Sequence, residues 1–406
     1  MKFRLKPLLF LCAAVTFMPL VVPTARAAAV ETAVTNSASS LLGADVKGNN
    51  WTVEPAVRSD GFLWLFSVKT SYGDFQVSGQ RRMSERLQEL RALQALDKMS
   101  RTKAFGDAIA RAGMAPIRFG RNLIVDPVET TGNLVSGVGR MFQSVASTVN
   151  GKNSARNSLF ERVSGITAAE RDLAFQLHVD PYTDFTPLRN GVNDVAKAAA
   201  AGGLSVTAAI SAIPGGAGIA VSASSTAGDL TNSLGNKRSD EILALVTQKL
   251  DKLRVDKAVT AKFVANKFYS PNDDFAIADA LEKLSAANSA SFISVAATAD
   301  SYDVAKFNRY RAELLLKENV RLGTLKDFVT VRDTAVNHDA NGGLVAAFPF
   351  DTVAWTEAVS HSLTLLGDDV AKRGEAKAHI FASTGAISPA AQAELKTQGW
   401  TIVSLE

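Results

Sequence analysis

A carboxylate and a histidine four positions apart could support acid–base or metal chemistry. Glu357 and His361 lie in a segment with a helical pattern, so they would share one helix face. Asp351 precedes that segment, near the end of a predicted strand. Carboxylates and imidazoles transfer protons and bind metal ions. Asp351, Glu357 and His361 are therefore candidate catalytic residues of a hydrolase or a metal-dependent enzyme.

A second group of possible metal ligands occupies a loop rich in turn-forming residues. His178, Asp180 and Asp184 lie in or beside the stretch Val179–Pro187. Histidine and aspartate bind divalent metals, so these three residues are candidate ligands. The alternative is that this stretch only forms the turn that ends the preceding helix.

Two further motifs are incomplete. Asn337–Gly342 resembles the start of a calcium loop, but Phe348 stands where such a loop needs a bidentate glutamate. Asn341 and Gly342 are better explained as a hairpin turn. Ser100 and Lys103 match the spacing of a Ser/Lys dyad, which a chain of this length contains by chance. The sequence has no G-x-S-x-G, P-loop or H-E-x-x-H motif, and it predicts no cofactor.

The chain begins with the three parts of a secretory signal peptide. Basic residues at positions 2, 4 and 6 precede an almost wholly apolar run at 7–22. Ala25-Arg26-Ala27 then supplies the pattern that signal peptidase recognises. The sequence therefore predicts export to the periplasm or cell envelope, with cleavage after Ala27. A retained anchor is the alternative, although the apolar run is shorter than the roughly 20 residues that span a bilayer. Lipidation at Cys12 is disfavoured because Leu11 before it is not small.

Loss of residues 1–27 would change the charge and the cysteine content. The whole chain has 44 basic and 40 acidic residues and a formal net charge of +4. Four of the basic residues and none of the acidic ones precede residue 28, so the mature chain is predicted to be neutral. Cys12 is the only cysteine, which excludes a disulfide framework. An exported chain also meets little nucleic acid, so no nucleic-acid partner is expected.

Two apolar, weakly charged stretches are candidates for contact with a membrane surface or an envelope protein. Leu134–Val149 places apolar residues opposite a Ser- and Gly-rich face, which is typical of an interfacial helix. Ala198–Gly228 contains no charged residue and could form a hairpin that inserts into a membrane. Both stretches could instead pack in the protein's own core. The candidate contact residues are Leu134, Val138, Met141, Phe142, Val145, Ile210, Ile213 and Ile219.

A local excess of basic residues follows the first predicted strands. Residues 81–121 contain ten basic and four acidic side chains, which could attract anionic lipid headgroups or another polyanion. The alternative is a solvated helix surface, because several of these charges can pair along the helix. The candidate basic face consists of Arg81, Arg82, Arg86, Arg118 and Arg121.

The spacing of apolar residues predicts an α+β fold with a mainly helical body. Residues 28–50 predict a flexible leader, and residues 51–79 predict a short β-meander. Residues 80–325 follow helical spacing around a Gly- and Ala-rich centre at 198–228. Residues 326–406 predict a compact α/β module with the order ββαβαβ, whose sheet the N-terminal strands could join.

Five short segments of the chain are distinctive when they are taken together. They are Phe66–Gly79, Val179–Pro187, Ala212–Gly218, Phe348–Thr356 and the closing Gly399-Trp400. With these segments, the chain from about Trp51 onward resembles an uncharacterised family of exported proteins from Gram-negative bacteria. The resemblance implies export and one shared architecture, and it implies no activity, cofactor or site residue.

These observations lead to one main hypothesis and two alternatives. The first is a non-enzymatic structural or interaction protein of the envelope that contacts a membrane or an envelope partner. The second is an envelope hydrolase or metal-dependent enzyme that uses one of the two groups of acidic and histidine residues. The third is a protein-binding adaptor that acts through the sheet edge of residues 326–406. The sequence leaves the oligomeric state open.

Overall fold

A computed structural model describes most of the chain. The described residues are 30–113, 135–143, 166–203, 205, 234, 236–374 and 378–406. Within them the protein has strands near both ends and helices between, which confirms the predicted α+β class. The predicted signal peptide and most of the apolar stretch at 198–228 lie outside the described residues.

The described residues contain thirteen α-helices and twelve strands. The helices are α1 (Ala38–Leu42), α2 (Gln80–Ser100), α3 (Lys103–Ala112), α4 (Gly137–Gln143), α5 (Ala168–Gln176), α6 (Thr186–Ala201), α7 (Ser239–Lys252), α8 (Lys257–Val264), α9 (Pro271–Leu284), α10 (Ala290–Ala296), α11 (Tyr302–Lys317), α12 (Glu357–Lys372) and α13 (Pro389–Thr397). The strands are β1 (Thr35–Ser37), β2 (Trp51–Val53), β3 (Ala56–Ser59), β4 (Trp64–Thr70), β5 (Phe75–Ser78), β6 (Asp327–Val331), β7 (Thr334–His338), β8 (Leu344–Phe348), β9 (Thr352–Val353), β10 (His379–Ser383), β11 (Ala386–Ile387) and β12 (Trp400–Ser404).

The first ordered elements lie where the composition predicted a flexible leader. Strand β1 pairs antiparallel with β3, and helix α1 buries Ala38 in the core beneath the meander. Ser37 Oγ accepts a hydrogen bond from Ser40 N–H at 3.1 Å and so caps α1. Ser37 therefore caps a helix within the predicted leader, and the prediction of a flexible leader is wrong for residues 35–46.

The start of the described chain is attached to the C-terminal module. The Glu31 carboxylate accepts hydrogen bonds from Trp355 N–H (2.7 Å) and Ser388 Oγ (2.6 Å). The Glu31 N–H in turn donates to the Trp355 carbonyl at 2.9 Å. Residues that precede the meander thus help to hold the module at the other end of the chain.

The N-terminal strands form a sheet of their own. Its order is β1-β3-β4-β2, and β5 also pairs with β4. Trp64, Phe66 and Val68 of β4 are buried and alternate with less buried residues, as a half-buried strand requires. They share a core with Leu90 and Leu93 of α2. The meander therefore packs with α2 and adds no strand to the C-terminal sheet.

The C-terminal sheet has the order β12-β10-β8-β7-β6. Strands β8, β10 and β12 are parallel, whereas β7 is antiparallel to β6 and β8. Strand β7 is an additional strand that the apolar pattern did not predict, because the polar Asn337 is fully buried within it. Asn337 is tolerated there since its Nδ2 donates to the Asp327 carbonyl at 3.1 Å.

The turn between β7 and β8 is the segment that resembled a calcium loop. Asp339 Oδ1 accepts hydrogen bonds from the N–H groups of Asn341 (2.8 Å) and Gly343 (2.9 Å). Gly342 has a φ of 77°, which glycine adopts readily. These contacts confirm the predicted hairpin turn.

Two separate cores cover the two faces of the C-terminal sheet. Val345 and Ala347 of β8 belong to the core that α7–α11 build. Leu344, Ala346 and Phe348 alternate with them and pack with α12 and α13. Because helices occupy both faces of the sheet, the parallel strands can be approached at their ends and along the outer side of β12.

Five phenylalanines join the meander to the C-terminal module. Phe350 follows β8 and stacks on Phe62 of the β3–β4 loop, with ring centroids 4.4 Å apart. The ring centroids of Phe348, Phe142 and Phe307 lie 4.9, 5.4 and 5.6 Å from that of Phe350. This phenylalanine cluster fixes the segment that leaves β8.

Truncation of the central ring tests the importance of the phenylalanine cluster. Phe350 is fully buried, so we expect Phe350→Ala to lower the free energy of unfolding by about 3–5 kcal/mol through the cavity it leaves. Urea denaturation of the protein measures this change. The control is Val320→Ala, at a side chain that is 84% exposed, with an expected change below about 0.5 kcal/mol. Equal losses in the two variants would contradict the prediction.

Candidate functional site

The carboxyl ends of the three parallel strands open into a cleft of about 740 Å³. Phe350 and Asp351 follow β8, Thr384 and Gly385 follow β10, and Glu406 follows β12. Open α/β sheets bind ligands in the crevice at this edge. This strand-end cleft is therefore the candidate ligand site.

Three helices form the walls of the strand-end cleft. The first turn of α2 faces α9 and the second half of α11 across it. Only Arg81 among these wall residues was a candidate from the sequence, because the α9 and α11 residues follow ordinary helical spacing. The wall residues with polar or aromatic groups include Arg81, Ser84, Phe275, Asp279, Tyr310 and Glu313.

Asp351 lies at the base of the cleft and caps a helix that is distant in sequence. Its Oδ2 atom accepts hydrogen bonds from Trp64 N–H and Gln80 N–H, each at 2.9 Å. The N-cap residue of α2 is Gly79, which has a φ of 95° and no side chain to cap the helix. Asp351 therefore supplies the cap that α2 lacks.

The surroundings of Asp351 favour its protonated form. Burial raises the pKa of Asp351 to about 7 and the nearby Asp60 also raises it, although the two backbone donors lower it. A carboxyl group that titrates near neutral pH in a cleft is suited to ligand binding or proton transfer. The neighbouring strand approaches closely, since a Cβ on Gly385 would lie 2.1 Å from the Asp351 carbonyl carbon.

Several ionised groups of the cleft are already paired. Arg81 forms an ion pair with Glu313, and its guanidinium carbon lies 4.2 Å from the centroid of the Tyr310 ring. Lys283 Nζ lies 2.7 Å from Asp279 Oδ2. The cleft thus presents both signs of charge, held in place by their own partners.

The structure does not bring the first predicted catalytic group together. Glu357 and His361 are exposed on α12 and line a shallow depression, whereas Asp351 lies in the strand-end cleft. Asp351 is held there because its N–H donates to the Phe62 carbonyl at 2.9 Å and its carboxylate caps α2. Only the Glu357–His361 pair shares a surface, as their spacing predicts.

The second predicted group, His178, Asp180 and Asp184, is not brought together either, because its two aspartates bind different partners. Asp180 accepts hydrogen bonds from Ser270 Oγ (2.7 Å) and Asn272 Nδ2 (2.8 Å), while Asp184 pairs with two arginines of α2. His178 has a φ of 54°, which fits the turn that ends α5. In the part of the chain that the structure describes, no three His, Cys, Asp or Glu side chains are placed to hold a metal ion.

Two arginines of the predicted basic face are buried and do not form a surface. Arg82 and Arg86 are 5% and 3% exposed, and both contact Asp184. Their partner lies about a hundred positions away along the chain, so the local excess of positive charge concealed it. Arg118 and Arg121 lie outside the described residues.

The two buried arginines belong to a continuous series of ion pairs, which we name the ion-pair chain. It connects the core around α2 and α6 to the core around α9 and α11. Its described members are five basic and five acidic residues. They are Arg81, Arg82, Glu85, Arg86, Glu89, Asp184, Asp273, Lys306, Arg309 and Glu313.

The ion-pair chain controls the ionisation of its members. Burial by itself would raise the pKa of Asp184, but Arg82 and Arg86 hold it well below its usual range. Burial by itself would also raise the pKa of Glu85, but its basic neighbours lower this pKa to about 2. Asp180 lies beside the chain, and burial raises its pKa to about 6. These directions identify Asp184 and Glu85 as carboxylates that stay charged inside the protein.

The described part of the predicted interfacial helix packs on the protein's own core. Val138 is fully buried, Phe142 belongs to the phenylalanine cluster and Met141 packs against two cores. Val138 is therefore unavailable for membrane contact. No helix among the described residues has the length and apolarity needed to cross a bilayer. The other contact candidates, Leu134, Val145, Ile210, Ile213 and Ile219, lie outside the described residues.

Comparison with known proteins gives no relative. The chain matches no protein-family model, no curated protein and no solved structure. The resemblance to an exported family therefore stays a prediction, and function must be inferred from the geometry of the sites.

Removal of one charge from the ion-pair chain is expected to lower the free energy of unfolding strongly. Asp184→Asn would leave two buried arginines without their shared partner, so we expect a loss of about 3–5 kcal/mol in the free energy of unfolding. The control is Asp97→Asn, because Asp97 pairs with Arg101, a side chain that is 73% exposed. That change is expected to cost less than about 1 kcal/mol. Urea denaturation compares the variants, and a loss at Asp184 no larger than at Asp97 would refute the prediction.

The raised pKa of Asp351 predicts a specific dependence of stability on pH. The folded protein binds this proton more tightly than the unfolded chain, so the stabilisation is full below about pH 4 and is lost as the pH rises through about 7. Asp351→Asn removes this titration. We expect the stability difference, wild type minus variant, to fall by about 1 kcal/mol or more between pH 5 and 8.

Denaturant unfolding at a series of pH values measures the Asp351 effect. Glu357→Gln is the control, because this carboxylate is exposed on α12 and is expected to change stability by less than about 0.5 kcal/mol. A difference between wild type and Asp351→Asn that stays constant over this range would show that Asp351 does not titrate there.

Proposed function

We propose that this protein is an exported, non-enzymatic binding protein of the cell envelope and that the strand-end cleft is its ligand site. The observation that carries the proposal is a cleft of about 740 Å³ at the carboxyl ends of three parallel strands, with Asp351 at its base. A volume of this size suits a small organic molecule.

The lining of the cleft favours a ligand with charges of both signs on an apolar body. Basic and acidic side chains lie beside apolar residues of α9, α11 and the phenylalanine cluster. Amino acids and short peptides have this chemistry. The residues that support this ligand class are Arg81, Lys283, Lys317, Asp279, Glu313 and Phe275.

A second candidate function follows from Asp351 alone. Its pKa of about 7 would let it accept and return a proton near neutral pH, which suits an envelope enzyme that acts by general acid–base catalysis. Asp351→Asn tests the enzyme, because general acid–base catalysis would lose turnover when the titrating carboxyl group is replaced by an amide. Glu357 and His361 have no part in this version, since they lie on another surface.

Export and contact with an envelope partner are proposals beside the ligand site. Export is supported by the sequence of residues 1–27, and membrane contact by the parts of the stretches 134–149 and 198–228 that lie outside the described residues. The adaptor alternative has one supporting feature, the position of β12 at the outer edge of the C-terminal sheet, where an added strand could pair.

An indole placed in the cleft tests the proposed ligand site. Ser84 is exposed on the α2 wall, and its Oγ donates to the Gln80 carbonyl at 3.1 Å, so Ser84→Trp fills the cleft without disturbing a core. Thr247→Trp on α7 is the matched control, because Thr247 is also exposed and its hydroxyl donates to the Leu243 carbonyl at 2.9 Å.

Thermal unfolding with amino acids, short peptides, carboxylates and amines is the readout. A ligand at about 100 times its Kd stabilises the folded state by about 2.7 kcal/mol and raises Tm by several degrees. We expect this rise in the wild type and in Thr247→Trp and its loss in Ser84→Trp. The proposal fails if no compound of these classes raises Tm, or if the rise is equal in all three proteins.

A further inference from the structure

A second concave site shares no lining residue with the strand-end cleft. It is a groove of about 570 Å³ between the loop that follows α5, helix α6, the residues that precede α9 and the start of α11. The strand-end cleft instead uses later turns of α9 and α11. The groove therefore needs its own explanation.

Aromatic rings form one side of this groove. Among the described residues, Tyr302 is the one aromatic side chain that is exposed, with 37% of its surface accessible. Phe268 packs against it edge-to-face, with ring centroids 5.3 Å apart and planes at 88°. Tyr182 is half-buried, and its hydroxyl donates to the Lys237 carbonyl at 3.4 Å. The groove thus offers part of the Tyr302 ring, whose orientation is held by Phe268, while Lys267 Nζ lies 5.1 Å from the centroid of the Phe268 ring.

The charges that line the groove cancel and are largely satisfied. Three acidic residues line it, and each has partners inside the protein. Asp184 pairs with arginines of α2, Asp273 pairs with Lys306, and Glu170 completes the capping box of α5. Three basic residues balance them. The six charged lining residues are Glu170, Asp184, Asp273, Arg189, Lys267 and Lys306. The formal charges of these six residues therefore sum to zero, which favours a ligand without net charge.

Helix α6 supplies neutral polar groups opposite the rings. Asn190 is exposed and Asn193 is half-buried, and both line the groove. An amide side chain both donates and accepts hydrogen bonds. A ligand for this groove thus needs one apolar face for the rings, several hydroxyl or amide groups for the asparagines, and no net charge.

We propose that this groove binds a neutral saccharide, with the apolar face of a pyranose ring on Tyr302 and its hydroxyl groups at Asn190 and Asn193. A nucleobase can also stack on a single aromatic face, so adenosine is the comparison ligand in the test below. A sugar ring needs only one aromatic face, because its hydroxyl groups lie around its rim. The proposal is independent of the strand-end cleft.

Saturation-transfer NMR with the mature chain tests the saccharide site. The probes are maltotetraose and chitotetraose, which are neutral and differ in their N-acetyl groups. We expect transfer to the ring C–H protons of at least one probe in the wild type. Tyr302→Ala should weaken binding about tenfold, whereas Tyr302→Phe keeps the ring and should stay within about threefold. Val320→Ala is the surface control, at a side chain that is 84% exposed, and should bind as the wild type does.

Two more variants locate the effect in the groove. Asn190→Trp places an indole on the exposed rim and should abolish transfer, whereas Ser84→Trp in the strand-end cleft should leave it unchanged. The proposal is overturned if neither probe receives saturation, or if transfer is the same in Tyr302→Ala and wild type. Ring-dependent binding of adenosine without binding of either oligosaccharide would overturn it as well.

Discussion

The ion-pair chain is the constraint on which the arrangement of the whole protein depends. Each of its buried charges would cost several kcal/mol if it stood alone, and each is tolerated because a charge of opposite sign lies beside it. Nine of its members come from α2 in one core and from α9 and α11 in another, and Asp184 comes from the loop before α6. The relative position of these helices is therefore fixed by where their charges meet. The same helices wall the strand-end cleft, and the Arg81–Glu313 pair of the ion-pair chain joins the α2 wall to the α11 wall.

Asp351 shows a different way to hold a carboxylate inside a protein. Its partners are two backbone N–H groups, and no basic side chain is among the causes that shift its pKa. Burial therefore decides its proton affinity, whereas the arginines decide that of Asp184. One protein thus contains a buried aspartate that stays charged and another that titrates near neutral pH. This contrast separates a structural role from a candidate functional role.

Local signals allowed much of the fold to be predicted. Ser270 and Asp273 form the capping box that begins α9, and Ser388 caps α13, because caps depend on neighbours within four residues. The site could not be predicted in this way. Asp351 meets Trp64 and Gln80 across 287 and 271 positions, and helical spacing cannot tell a buried arginine with a distant partner from one on a solvated face. The predictions therefore failed where a site depends on contacts between segments that are distant in sequence.

If the protein is exported as proposed, the attachment of Glu31 links the order of folding to the order of export. If the signal peptide is cut after Ala27, only residues 28–30 separate the cut bond from a side chain that is hydrogen-bonded to Trp355 and Ser388. Those partners belong to the last part of the chain to be synthesised. A peptidase needs an extended, accessible substrate, whereas Glu31 is fixed by its hydrogen bonds to the folded module. Maturation of the N-terminus is therefore expected to come before the C-terminal module closes over it.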